Sequence, residues 1–521
     1  MISPCCSTGR ATRCPPEYPV SDDDPGVMGI NYRCDSMPEQ LKLKNDPAHI
    51  FSSFVYGDPV SPLAQAQTIG ISEVFNLHID EPYAAGDYLY YSGGIDDLWL
   101  GLWGIIRAHA TPQKDLLPPC GIRPIAAPKA PPASAVVRKF EIAAIQKAPV
   151  YNRFGDHDPE GLLFVPLEQA RDVLRGCRKP VPLILRANAG DWIEVTRHNL
   201  FDPKVPIQFH DYPSVPVAFP HVPGDRVSLS PRFLKFDPVA SSGVTWAMEQ
   251  TVGPGECVEY LWHTDREYGA CLLTSFGDLR NHRHHGLFGA VIVEPLKAKY
   301  YSGICPMDEN YKEEAVITAP GTETFREFVL FAHNGIRLLD RDGNLIKTTE
   351  QGAEEGGHDA PDHEDTGEKS CNYRSEQFFN RLKRVPLIEK VFDSKVHGDP
   401  ATPLFQTYAG ERVIIRLLMP ADKPRNISFA LHGHRWRAQP EAPFTRGIPV
   451  QGAISVGNVF NVEPEPVKCP VDYLYRSGSP RWDVESGMWG LPRLLRRSIR
   501  YQCENACRNV RRWWERQRRE T

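Results

Sequence analysis

Between Val181 and Pro295 the chain is cut so often by glycine and proline that no long helix fits, and its apolar residues recur at every second position. Ile193 and Val195 alternate with Glu194 and Thr196, and Val258, Tyr260 and Trp262 repeat that period. In an extended strand this puts one face in a core and the other in water. Ala189-Gly190-Asp191 and Pro254-Gly255 are turns between such runs. Gly289-Ala290-Val291-Ile292-Val293 closes the stretch with an apolar run long enough to cross a core. About seven strands at this spacing describe an antiparallel β-sandwich.

The whole chain is compatible with that class. Its 521 residues leave room for about three domains, and 48 prolines beside 40 glycines suit a turn-rich β protein. A hydrophobic content of 41%, 24% charged residues and a net charge of -5 describe a soluble globular protein and give no reason to expect a nucleic-acid partner. No apolar run reaches the length of a membrane span. The opening MISPCCSTGRATRCPPEYP lacks the apolar centre of a secretory signal, which leaves the cytoplasm as the default expectation. Thirteen cysteines with no CxxC pair read as reduced thiols.

Taken in order, residues 1–25 read as a disordered N-terminus, 26–110 as a truncated unit, and 111–137 as a Pro/Ala-rich linker. A central domain follows over 138–299, with an insertion from Pro213 to Val244. A C-terminal domain spans 315–492, and within it Phe325–Gly335 and Ile336–Lys347 read as a strand pair turning at Asp342-Gly343-Asn344. An acidic loop, read as disordered, occupies 351–369, and a basic extension with helical spacing of Leu495, Ile499 and Cys503 occupies 493–521.

The first and last units repeat one another. Asn31-Tyr32-Arg33 recurs as Asn372-Tyr373-Arg374, Val74-Phe75-Asn76 as Val459-Phe460-Asn461, Asp87-Tyr88-Leu89-Tyr90 as Asp472-Tyr473-Leu474-Tyr475, and Trp103-Gly104 as Trp489-Gly490. The offset is 341 up to Leu63 and 385 from Val74, so the first copy lacks 44 residues, among them the counterpart of Ile427–Leu431. An N-terminal sandwich without those strands has unpaired edges, and either its neighbours complete it or the chain is a shortened form of a longer ancestor.

These motifs resemble cupredoxin domains of the multicopper oxidase family: Ala-Gly-Asp, a strand ending in Asn199-Leu200, a strand bearing His210, Pro-Gly, Tyr-x-Trp, then Gly-Leu-Phe-Gly-Ala-Val-Ile-Val. The resemblance implies an all-β chain of tandem cupredoxin-like Greek-key sandwiches. It also implies a copper cofactor: a trinuclear cluster held by eight histidines in four His-x-His motifs, and a mononuclear copper held by one Cys and two His. The implied reaction oxidises a small-molecule or metal-ion reductant, such as a phenol, manganese or iron, and reduces oxygen.

Carried over residue by residue, most of the family's ligands are replaced. His210 keeps the first position of one motif and Tyr212 fills the second; Thr274 and Phe276 stand where another motif has histidines. In the C-terminal unit His432 matches a cluster ligand and His434 a position the family often fills with His, while Ile427 and Ala430 replace two further ligands. At the His-Cys-His motif stand Arg476-Ser477-Gly478 and, in the first copy, Tyr91-Ser92-Gly93, with Met488 and Leu102 near the axial position. The metal candidates are therefore His210, His432 and His434. Two readings stay open: an oxidase-like copper protein with degraded turnover, or a metal-free, non-catalytic scaffold or interaction protein.

His282, His284 and His285, with His263 upstream, read as a solvated loop cluster, and His358 and His363 as part of the acidic loop. No Ser-His-Asp elbow, phosphate-cradling glycine loop or dinucleotide fingerprint is present. Substrate and oligomeric state are not legible.

Overall fold

Strands begin where the alternation begins. In the computed structural model the described residues are 66–69, 83–93, 101–116, 130–207, 224–245, 248–278, 281–302, 305–306, 312–346, 368–421, 426–438 and 447–496. All of them belong to one unit, Pro62–Gly352 with His363–Thr521. The tail 1–25, His210, His358, His363 and the chain beyond 496 lie outside the described residues.

β1 (Gly86–Tyr91) and β2 (Trp103–Ala108) form an antiparallel pair. The central region follows with β3 (Val137–Gln146), β4 (Leu162–Pro166), a helix Leu167–Leu174, β5 (Leu183–Asn188) and β6 (Trp192–Asn199). The strands β7 (Ser230–Pro231) and β8 (Lys235–Phe236) come from the expected insertion, and β9 (Cys257–His263), β10 (Gly269–Thr274) and β11 (Phe288–Glu294) complete the region. One sheet has the order β4-β3-β6-β9-β8 and the other β5-β11-β10-β7. They close on Phe140, Ile142, Ile193, Val195 and Trp262 from the first and Leu183, Leu185, Leu273, Val291 and Val293 from the second. Each such side chain, fully buried, contributes about 1.5–3 kcal/mol.

The sandwich is mixed rather than antiparallel as expected: β3 runs parallel to β6, and β5 parallel to β11. The turn at Gly190 (φ 88°) carries the chain from one sheet to the other, so it is a corner and not a hairpin. Strands that neighbour within a sheet are then not consecutive and can run the same way.

The C-terminal region contains β12 (Lys299–Ser302), β13 (Cys305–Pro306), β14 (Glu314–Ala319), β15 (Thr322–Ile336), β16 (Glu368–Cys371), β17 (Phe405–Tyr408), β18 (Val413–Ala421) and β19 (Ile427–Leu431). It ends with β20 (Trp436–Arg437), β21 (Gly447–Ile448), β22 (Val450–Ile454), β23 (Val459–Val462), β24 (Tyr475–Arg476), β25 (Trp489–Gly490) and β26 (Pro492–Leu495). A seven-stranded sheet, β13-β12-β14-β15-β18-β23 with β16 on β15, faces the sheet β22-β19-β24-β25 across Phe328, Leu330, Leu417, Met419, Phe429, Leu431 and Tyr475. The molecule is all-β, built of tandem sandwiches.

Their inner sheets also meet back to back. Ile184, Leu272, Phe288, Ala290 and Ile292 pack on Val329, Phe331 and Leu418, which is why β5, β10 and β11 are buried on both faces. Period two places four charges on those same faces: Arg186 on β5, Glu294 on β11, Glu327 on β15 and Arg416 on β18. Arg186 bonds Glu327, and Arg416 reaches Glu327 at 2.8 Å and Glu294 at 3.2 Å, all four side chains being at most 4% exposed. Burial raises the Glu294 carboxyl far above the ordinary range, the neighbouring Glu327 adding to the effect. Burial raises Glu327 too, but Arg186 and Arg416 overcome that and hold it well below.

Three boundaries differ from the sequence reading. β15 pairs with β14 and β18, while Leu339 and Leu345 make only an isolated bridge around Asp342-Gly343, so the expected strand pair at 325–347 does not form. The fifteen-residue β15 is apolar enough to be sheathed on both sides, and no hairpin partner is needed. Glu368 and Lys369, assigned to the acidic loop, begin β16 and are 2% and 1% exposed. Arg493–Leu495, assigned to a basic helical extension, belong to β26, where Arg493 pairs with Asp399 and Asp472 and Leu494 joins the buried set.

The described N-terminal residues rest on both regions. Gly93 O accepts from Arg283 Nη2 at 2.7 Å, and Thr68 Oγ1 donates to Ala453 O at 2.8 Å. The register of β1–β2 matches that of β24–β25: Tyr90 opposes Gly104 and Tyr91 opposes Trp103, as Tyr475 opposes Gly490 and Arg476 opposes Trp489. A Cβ on either glycine would lie 2.3 Å from the hydroxyl of the tyrosine across from it. β24 has β19 on its other edge, whereas β1 pairs only with β2 among the described residues.

Candidate functional site

His432 and His434 lie on the turn that leaves β19, where His434 N donates to Leu431 O at 3.2 Å and Gly433 takes φ 74°. Each has one ring nitrogen engaged within the chain. The Nε2 of His432 accepts from Arg476 Nε at 3.0 Å, so its other nitrogen carries the proton. His434 Nδ1 donates to His432 O at 2.9 Å, and its ring meets the Tyr473 ring edge-on at 4.7 Å. Burial lowers the proton affinity of both imidazoles, with Arg476 adding to the effect at His432. Ile427 and Ala430 are core residues, and Ser477 donates to Asp483 inside the fold.

The second group of positions converges where β1 ends. Tyr91 packs edge-on against Phe276 with ring centroids 5.6 Å apart, and the Arg232 guanidinium lies 4.8 Å over the Tyr91 ring. Ser275 Oγ donates to His282 Nδ1 at 2.9 Å, and His282 Nε2 donates to Gly224 O at 2.7 Å. Both nitrogens of His282 are thereby committed, and burial lowers its proton affinity.

The cluster read as a solvated loop is instead a short helix, Asn281–His284, followed by His285, and all five residues are buried. His282 is 0% exposed, enclosed by Gly224, Ser275 and the edge-on ring of Phe201. His285 meets two carboxylates that no spacing along the chain connects to it. Asp158 Oδ2 lies 3.0 Å from its Nδ1, 127 positions away in the chain, and Glu160 Oε2 lies 3.7 Å from its Nε2. One donor atom from each of the three falls within 4.8 Å of the others. Next to them, His284 contacts both His285 and His333 edge-on, at 5.4 and 5.6 Å. His333, 1% exposed, is held neutral by burial and by the two histidines beside it.

No family model and no curated protein matches this chain. Among solved structures it is similar to a multicopper oxidase at 14% identity and TM-score 0.41, covering 70% of this chain and 92% of that one. It is also similar to a copper nitrite reductase from Nitrosomonas europaea at 16% identity and TM-score 0.39, covering 69% of this chain and 94% of that one. A further multicopper oxidase, mgLAC, stands at 13% identity and TM-score 0.40, with 69% and 86% covered. At this distance the likeness carries no statement about copper or activity.

Proposed function

We propose that the chain is a multicopper-oxidase-like protein in which the sites of the copper ligands have been taken over by side chains that do not bind copper, leaving a non-catalytic scaffold. One observation carries the reading. Positions that the resemblance aligns with copper ligands still meet in space, and what meets there is wrong for the metal. Arg476 donates to His432, and Tyr91 packs on Phe276. A guanidinium stays charged throughout the physiological range and repels a cation, while phenyl and phenol rings offer no imidazole or thiolate donor. The residues present therefore do not fit the copper centres, and no electron path through copper is derived.

The other reading, a residual copper ion held by His210 and His432 with His434 beside them, is disfavoured by the Arg476 hydrogen bond on His432. The partition into a truncated unit, a central sandwich and a C-terminal sandwich belongs to the same proposal. So does the internal repeat, supported by the shared register of β1–β2 and β24–β25.

Copper loading of purified chain, followed by dialysis, metal analysis and an absorbance scan, tests it. The expected result is at most one copper per chain, none of it lost in His432→Ala, no band at about 600 nm and no oxygen uptake with phenols, manganese or iron. Four coppers per chain, or a strong blue band, would overturn it. The Arg476→Ala variant should bind Cu²⁺ at least tenfold more tightly than the parent, because it frees His432 Nε2 and removes a positive charge; unchanged affinity would remove Arg476 from the explanation.

A further inference from the structure

We propose a binding site for a first-row divalent cation, represented by Zn²⁺, at His285, Glu160 and Asp158, apart from every position aligned with a copper ligand.

Both halves of the site are fixed by main chain. Asp158-Pro159-Glu160-Gly161 is a turn closed by Gly161 N on Asp158 O at 3.3 Å, and Leu162 N, the next residue, donates to His285 O at 2.8 Å. Gly286 follows with φ 114°, and a Cβ there would sit 2.5 Å from Leu162 O. Only glycine lets the two segments approach this closely.

The side chains then divide the work. Asp158 Oδ1 accepts from Glu160 N at 2.9 Å and Oδ2 accepts from His285 Nδ1 at 3.0 Å. A carboxylate with both oxygens engaged orients the imidazole and puts its proton on Nδ1, so the lone pair of Nε2 faces outward. What it faces is Glu160 Oε2, 3.7 Å away. That distance is too long for a hydrogen bond. Two donors sharing one ion at metal–ligand lengths of about 2.0–2.2 Å stand about 3–4 Å apart, which matches. His285 Nε2 and Glu160 Oε2 are the direct ligands, and Asp158 is a positioning residue. With a neutral imidazole, a divalent ion balances the two carboxylates in a place where His285 and Asp158 are 2% and 1% exposed. Glu160, 10% exposed, provides the rim through which the ion enters and through which water completes its coordination. Nitrogen with carboxylate oxygen is a donor set for Zn²⁺ or Mn²⁺ and lacks the sulfur that would favour Cu⁺.

The alternative occupant is a proton, giving an imidazolium clamped between two carboxylates. Calorimetric titration of the full chain with Zn²⁺, and Co²⁺ titration followed by visible absorption, separate the two. The expected result is one site present in the parent, weakened at least tenfold in both Glu160→Gln and Asp158→Asn, the latter by loss of the orienting bond. Asp158→Asn is the variant that can fail to fold. Glu160→Gln, at the rim, keeps the test decisive, with near-ultraviolet circular dichroism confirming its fold. A parent that takes up no Zn²⁺, or a folded Glu160→Gln that binds as the parent does, would overturn the site.

Discussion

At the level of single residues, the informative positions are charged groups sealed in the fold. Glu327 carries the contact between sheets by bonding Arg186 and Arg416 at once. Replacing it by Gln leaves two buried guanidinium groups facing a neutral amide, and the expected loss is about 3–5 kcal/mol, read from the denaturant midpoint. Glu368 gives a pH signature. Burial pushes its carboxyl up to about 8 from an ordinary 4.5. The folded chain therefore holds a proton that the unfolded chain releases. Its contribution is fully present below pH 4.5 and is lost as the pH rises through 8. Glu368→Gln should flatten the fall in stability across that window, measured as unfolding midpoints at stepped pH. None of this was visible in the sequence, because a glutamate at the end of an acidic stretch reads as solvated until its strand is known. His285 shows the same limit: its carboxylate partners lie so far along the chain that spacing cannot connect them, and only the folded approach of Leu162 to His285 does.

Strands were the most legible elements, since period two needs only local sequence. β6 and β9 fall where Ile193, Val195, Val258, Tyr260 and Trp262 placed them. Pairing was less legible. A turn such as Ala189-Gly190-Asp191 looks the same whether it joins two strands of one sheet or carries the chain to the opposite one. The recurring Tyr-Gly contact allows a comparison within one molecule. In β25, Gly490 lies under Tyr475, which is 1% exposed and hemmed in by Phe405 and Phe429. In β2, Gly104 lies under Tyr90, which is 58% exposed. Gly490→Ala should cost about 1–3 kcal/mol by overpacking. Gly104→Ala should cost less than about 0.5 kcal/mol, because the exposed ring can swing away. Equal losses in the two unfolding curves would show that Tyr90 is as confined as Tyr475.

On the scale of the whole molecule, composition and turn density were enough for the all-β class, while the back-to-back joining of the two sandwiches was not foreseen. An apolar run such as β11 announces burial without saying that both of its faces are covered. The candidate site was only partly legible: the resemblance singled out positions in the sequence, and the contacts of Arg476 with His432 and of Tyr91 with Phe276 emerge only in the fold. The sealed junction of Arg186, Glu294, Glu327 and Arg416 also governs how the protein meets concentrated electrolyte. Mobile ions screen charges they can approach to within about 8–10 Å through water, and they cannot enter this junction. Arg493 with Asp399 and Asp472, 25–43% exposed, is open to them. Molar sodium chloride should therefore loosen the Arg493 contacts at the rim while the seam between the sandwiches keeps its full strength, so that brine frays this protein from its edges and leaves the middle intact.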